Sequence, residues 1–259
     1  MAEGPYPSLV PTPLLGRLPS PGDGLWTRRL LAVATAAVMA APMAAGLLRL
    51  PPRDQLDPIC LMWLAWCAGW LSRRWRPRRD GRLVWRSRVA GRHSVEPGLV
   101  ARRSLAGWAD LVTGMMTVTA TGVTLIGMLP EGARWAEAGR SLLAVGVSAA
   151  VGQAVYEEIR LTGRLALTAG GIRHGRRLYD WGNIDRVGPK KQDGRVDGVR
   201  LRQIVRKPLE PEPVVGGRDT AVPEERLVAA IEHFRSRPEM LAVGLPVTAP
   251  EPAAQPAGG

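Results

Sequence analysis

Four apolar runs, all before residue 157, decide most of what this chain can become: Leu30 to Leu48, Pro58 to Leu71, Leu111 to Leu129 and Ser141 to Tyr156. A soluble globule spreads its apolar residues by helix or strand period, whereas continuous runs approaching twenty residues demand lipid. The first run, as a helix, rises about 28 Å, close to the hydrocarbon thickness of a bilayer. Pro42 marks a kink in it. The second run is short and spans only if it continues to Trp75, with Arg73 and Arg74 reaching back to the headgroups. Trp63, Trp66 and Trp70 fall on one face of that helix, a spacing that suits packing or the interface.

The third run carries Thr113, Thr117, Thr119, Thr121 and Thr124. Threonine hydroxyls bond back to their own helix carbonyls, so these residues need not line a pore. The fourth run holds Gly146, Ser148, Ala150 and Gly152, two small-xxx-small pairs that allow close helix approach. The sequence thus predicts an α-helical membrane bundle of four transmembrane helices, with spans at about 30–48, 58–75, 111–129 and 141–156 inside a membrane region of 28–158.

Orientation follows from charge. Residues 72–106 contain eleven arginines against only Asp80 and Glu96, which is nine of the twelve net positive charges of the chain. The loops on either side are balanced in charge. The positive-inside rule therefore predicts a cytoplasmic basic loop at 76–106 and, with four spans, cytoplasmic N- and C-termini in the cell membrane. Arg28 and Arg29 agree. The same pair, followed by Leu30-Leu31, also resembles a twin-arginine export signal, but the run behind it is long for a signal and further spans follow. Arg and Trp interleave at Arg74-Trp75-Arg76, yet membrane topology and lipid contact explain them without nucleic acid. Arg outnumbers Lys thirty-two to three, a background bias of the kind GC-rich coding produces.

Residues 1–27 and 244–259 are Pro-, Gly- and Ala-rich and lack an apolar period, so both are expected to be disordered tails. Between the last span and the second tail the pattern changes. Leu165 to Thr168, Ile172 to His174, Arg177 to Trp181, Ile184 to Val187 and Val196 to Val205 are short strands, with residues 207–219 as loop. Pro223 opens a helix, and Leu227, Ala230, Ile231 and Phe234 give it one apolar stripe. Residues 159–243 thus form a small α+β domain, an antiparallel sheet followed by one amphipathic helix.

Leu165-Ala166-Leu167-Thr168-x-x-Gly171-Ile172 and then Trp181-x-x-Ile184-x-x-Val187 resemble the opening of PH-like domains in membrane-anchored bacterial proteins. The resemblance implies a PH-like β-roll in which Leu167 and Ile172 fill the first hairpin, Gly171 takes the turn, and Trp181 and Ile184 close the sheet, which the helical stripe with Phe234 is expected to cover. Those domains place acidic residues between Trp and Ile. Gly182-Asn183 stand here instead, so no acidic pair carries over.

Chemistry is sparse. Cys60 and Cys67 lie on one helix face about 10 Å apart, too far for a disulfide. His93, His174 and His233 have no metal-ligand spacing, and the Glu157-Glu158 pair suits a solvated helix exit. No phosphate loop or nucleophile elbow has the right context. No catalytic, cofactor-binding or metal residues are expected, and the chain is read as non-catalytic. Inside the four apolar runs no residue is charged, Gln153 is the one amide and Asp110 stands at the border, which argues against a transport or channel component regulated by the C-terminal domain.

The expectation is a membrane-anchored interaction module. Its partners are the lipid bilayer and a protein of unknown identity, with homo-oligomerisation left open. Arg173, Arg177, Arg200 and Arg202 alternate with apolar residues, so they are expected to share the solvent face of the sheet and to contact a membrane surface or partner.

Overall fold

The computed structural model describes residues 25–49, 58–75, 77, 79–91, 94–130, 132–192, 195–205 and 211–251. Most of the first expected tail and the end of the second lie outside the described residues. The elements run α1 (Leu25–Leu48), α2 (Pro58–Arg74), β1 (Val84–Ala90), β2 (Val95–Ala101), α3 (Leu105–Met128), α4 (Arg134–Arg160), β3 (Leu165–Thr168), β4 (Gly171–His174), β5 (Arg177–Tyr179), β6 (Ile184–Gln192), β7 (Arg195–Gln203), β8 (Val214–Val215) and α5 (Glu224–Ser236).

Three helices, α1, α3 and α4, are long and apolar enough to cross a membrane. With 17 residues, α2 is shorter than these three, and Arg73 and Arg74 fill its last turn. The outer surfaces of all four carry exposed Leu, Val, Ile, Met and Trp, such as Leu30, Val38, Leu64, Trp66, Met116 and Leu142. Contiguous apolar surface on this scale is stable only against lipid or another apolar surface. The helices pack in a row, α2 on α3, α3 on α4 and α4 on α1.

Small residues set the close approaches. A methyl group at Gly152 would lie 3.3 Å from Ala40 Cβ on α1, and one at Gly122 would lie 2.4 Å from Val147 Cγ2 on α4. Of the two small pairs in α4, Ser148 and Gly152 face neighbours, while Gly146 has open space around it. All five α3 threonines donate to carbonyls one turn back, for example Thr117 to Thr113 at 2.8 Å.

The expected basic loop at 76–106 is not a loop. β1 and β2 pair antiparallel with each other, and β2 pairs antiparallel with β3, Ala101 opposite Leu165 and Gly98 opposite Thr168. The result is a five-stranded sheet in the order β1-β2-β3-β4-β5 and a three-stranded sheet in the order β6-β7-β8. The C-terminal unit is therefore completed by a hairpin from before α3, and the α3–α4 hairpin is an insertion between two adjacent strands. Further bonds tie the early segment in. Gly81 N donates to Ala221 O at 3.0 Å, Ala221 N donates to Arg102 O at 2.9 Å, and Arg79 pairs with Glu224 at 2.6 Å. The physical reason is that β2 buries Leu99 and Ala101 on one face of the sheet and Val100 on the other, so its partners can come from any distance along the chain.

One core lies between the two sheets and α5. It gathers Leu99, Leu167, Ile172, Trp181, Ile184, Val199, Leu201, Leu227, Ile231 and Phe234. Trp181 Nε1 donates to Thr168 O at 2.8 Å, which fixes the indole against β3. Gly171 has φ +145, and a side chain there would meet Tyr179 O at 2.3 Å, so only glycine fits the turn. The α5 stripe lies on β6 and β7. Phe234 is fully buried, and Phe234→Ala in the full chain should destabilise the sheet unit by about 3–5 kcal/mol, read as a lower urea midpoint for that unit.

Candidate functional site

Arginines hold the sheet unit against one end of the helices. The N-terminal turns of α1 and α3 and the C-terminal turns of α2 and α4 gather at that end. From the 3-10 turn Gly217–Asp219, Arg218 reaches α2 and α3. Its Nη1 donates to Arg73 O at 2.8 Å, and its Nη2 bonds Ser72 O and, at 3.2 Å, Asp110 Oδ1. Ser72 Oγ donates to the same Asp110 oxygen at 3.0 Å. Asp110, expected at the membrane border, is thus an anchor for Arg218.

Ser104 both caps α3, accepting from Gly107 N at 2.8 Å, and bonds the Arg218 carbonyl. Arg103 pairs with Glu158 near the end of α4, which gives that carboxylate a structural role. On α1, Arg28 Nε donates to Ile159 O at 3.2 Å, and its Nη1 bonds Thr162 Oγ1. The Thr162 hydroxyl also accepts from Ala90 N at 3.0 Å, so helix, connection and sheet meet there.

Arg173 is not on a solvent face. It is only 4% exposed, because the outer side of the five-stranded sheet is covered at this point by the connection from α4 to β3. It stands opposite small Ala166, and its Nη2 donates to Thr162 O at 2.5 Å and Gly163 O at 3.2 Å. Burial, and then the nearby Arg28 charge, push its pKa down to about 10. Beside it, burial first and then the Arg164 charge lower the pKa of His174.

The other three predicted residues are exposed but divided. Arg177 begins β5 of the larger sheet, whereas Arg200 and Arg202 lie on β7 of the smaller one. Arg186 stands opposite Arg202 and Gly188 opposite Arg200, so Arg186, Arg200 and Arg202 share one outer face. Glu212 lies 3.4 Å from Arg200, and Asp185 lies 3.8 Å from both Arg186 and Arg202. The expected four-residue patch is therefore a three-residue face that includes Arg186, a partner only the strand register could reveal. No group of His, Cys, Asp and Glu among the described residues is arranged to hold a metal.

Comparison with protein-family models, with curated proteins and with solved structures found no match for this chain. The PH-like resemblance rests on the sequence pattern.

Proposed function

We propose that this chain is an integral protein of the cell membrane that displays a PH-like β-roll at the cytoplasmic surface as a non-catalytic module for binding protein or membrane surfaces. The observation that carries this reading is the arginine clamp. Arg218, Arg103 and Arg28 bind helix ends and the sheet unit together, so the unit has one fixed orientation relative to the helices. Two antiparallel sheets packed on a C-terminal helix are compatible with a PH-like roll, here split by the α3–α4 insertion.

In this reading α2 is a fourth span. Its last turn lies beside the first turns of α3, and Arg74 stands 4.0 Å over the Trp70 ring, an arrangement suited to the headgroup level. Arg186, Arg200 and Arg202 form the contact face. Reporter fusions after residue 82 and at the C-terminus should report inside, and those after 54 and 132 outside. A C-terminus on the far side of the membrane sinks the topology. A photo-crosslinking residue at position 200 tests the contact face. It should give an adduct that R186E and R202E reduce without lowering membrane levels, and an adduct indifferent to both substitutions removes these arginines from the contact.

A further inference from the structure

Arg173 carries a buried positive charge with an incomplete set of partners. Among the described residues its guanidinium bonds only the carbonyl oxygens of Thr162, Gly163 and Gly175, its Nε has no partner, and no carboxylate lies within ion-pair distance. A buried cation held by carbonyls alone leaves its desolvation cost largely uncompensated. It lies at the wall of a cavity of about 310 Å³ on the outer face of the five-stranded sheet, with Ser94, Glu96 and Arg176 as further polar lining and Val89 and Leu178 as apolar lining. That volume is on the order of ten waters, room enough for a small polar headgroup.

A second cavity of about 240 Å³ lies at the last turn of α4, lined by Glu157, Arg160, Leu161 and Arg176. Arg176 borders both cavities. Its side chain is half exposed and pairs with Glu157, a solvated ion pair that a stronger anion can displace at little cost. The two cavities thus meet at the Arg176 side chain, one at the end of a membrane-length helix and the other beside the buried guanidinium.

We propose that these cavities bind the phosphate-bearing headgroup of a lipid, with the phosphate against Arg173 and Arg176. Charge-assisted bonds from arginine to phosphate are the strong class of hydrogen bond and would balance the Arg173 charge, which no carboxylate among the described residues neutralises. Glu96 shares the cavity, and its carboxylate disfavours a purely anionic ligand while favouring one that also carries a hydrogen-bonding ammonium. The preferred chemistry is therefore a phosphoethanolamine headgroup. The proposal deepens the membrane-anchored reading by naming a ligand, and rests on it for the ligand's source. The reporter fusions test the anchoring separately.

The test uses the full chain purified in detergent and titrated with short-chain phosphatidylethanolamine, phosphatidylglycerol or phosphatidylcholine, with inorganic phosphate as a separate arm. Binding is read by native mass spectrometry and thermal shift. Phosphatidylethanolamine should bind about tenfold more tightly than either other lipid, the value of one charge-assisted bond. R176Q should lose about tenfold in affinity for it, and E96Q should remove the preference over phosphatidylglycerol. R173Q should abolish binding, with Arg176 and Glu96 as the deciding positions if that variant fails to fold. Equal affinity for all three lipids, or binding unchanged in both R176Q and E96Q, overturns the proposal. Inorganic phosphate stabilising the chain as strongly as lipid overturns the assignment to a headgroup.

Discussion

Residues 160–243 expressed alone should remain unfolded, whereas residues 79–102 joined to 164–251 through a two-residue Asn-Gly turn should melt as one cooperative unit. The reason is the register of β2 on β3. Ala101 stands opposite Leu165, so residues 102 and 164 are adjacent across an antiparallel pair. A two-residue turn of the hairpin type closes such a pair, and the α3–α4 insertion becomes dispensable for the sheet.

The shorter fragment loses β1 and β2, and with them Leu99, a fully buried core side chain, and Ala101 beside it. Removing a buried Leu side chain alone costs about 2–5 kcal/mol, and the stability of a whole domain is about 5–15 kcal/mol. It also turns β3 into an unpaired edge and removes the Arg79 partner of the buried Glu224. Far-UV circular dichroism and urea melts of both fragments decide the matter. A cooperative transition in 160–243 shows that β2 is an accessory strand.

The membrane helices were legible because lipid imposes a rule that acts residue by residue along one segment. α1, α3 and α4 each extend beyond the apolar run that announces them, since Arg28, Arg103 and Glu158 border or occupy their ends in bonds that a hydropathy pattern does not see. The strands β3 to β7 and the stripe of α5 were legible for a similar reason, as local alternation and local period.

The hairpin β1–β2 was not. Arg86 and Arg88 break up the apolar pattern of β1, and the burial of the hairpin depends on pairing with a strand beyond the α3–α4 insertion. Leu83-Val84-Trp85 and Leu99-Val100-Ala101, each three apolar residues in a row, are the hints of buried strand, and runs so short carry no periodicity. Arg173 failed in the opposite direction. Alternation put it correctly on the outer side of its strand, but alternation cannot tell that Thr162 and Gly163 cover that side. The patch of Arg200 and Arg202 was legible from period two, and its third member, Arg186, needed the register of β6 on β7.

Gly98→Val should unfold the sheet unit while leaving the helices in the membrane, and Gly188→Ala should do neither. At Gly98 on β2 a side chain would begin 2.3 Å from Leu167 O, a backbone atom of the paired strand. No rotamer relieves such a contact, because it is the Cβ itself that collides. β2 would have to leave β3, or β3 would have to shift with Leu165 and Leu167 still attached to the core. Either response disturbs close-packed interior, and a destabilisation of at least about 3 kcal/mol follows.

Gly188, on β6 opposite Arg200, has nothing within 4 Å of the same virtual atom, so Gly188→Ala should change stability by no more than about 0.5 kcal/mol. Limited proteolysis of membranes carrying each variant separates the outcomes. In Gly98→Val, cleavage should appear across residues 79–103 and 162–237, while fragments containing α1, α3 and α4 stay with the membrane. If Gly98→Val is as resistant to cleavage as the wild type, the pairing of β2 with β3 is not what holds the sheet unit together, and the split-domain architecture fails with it.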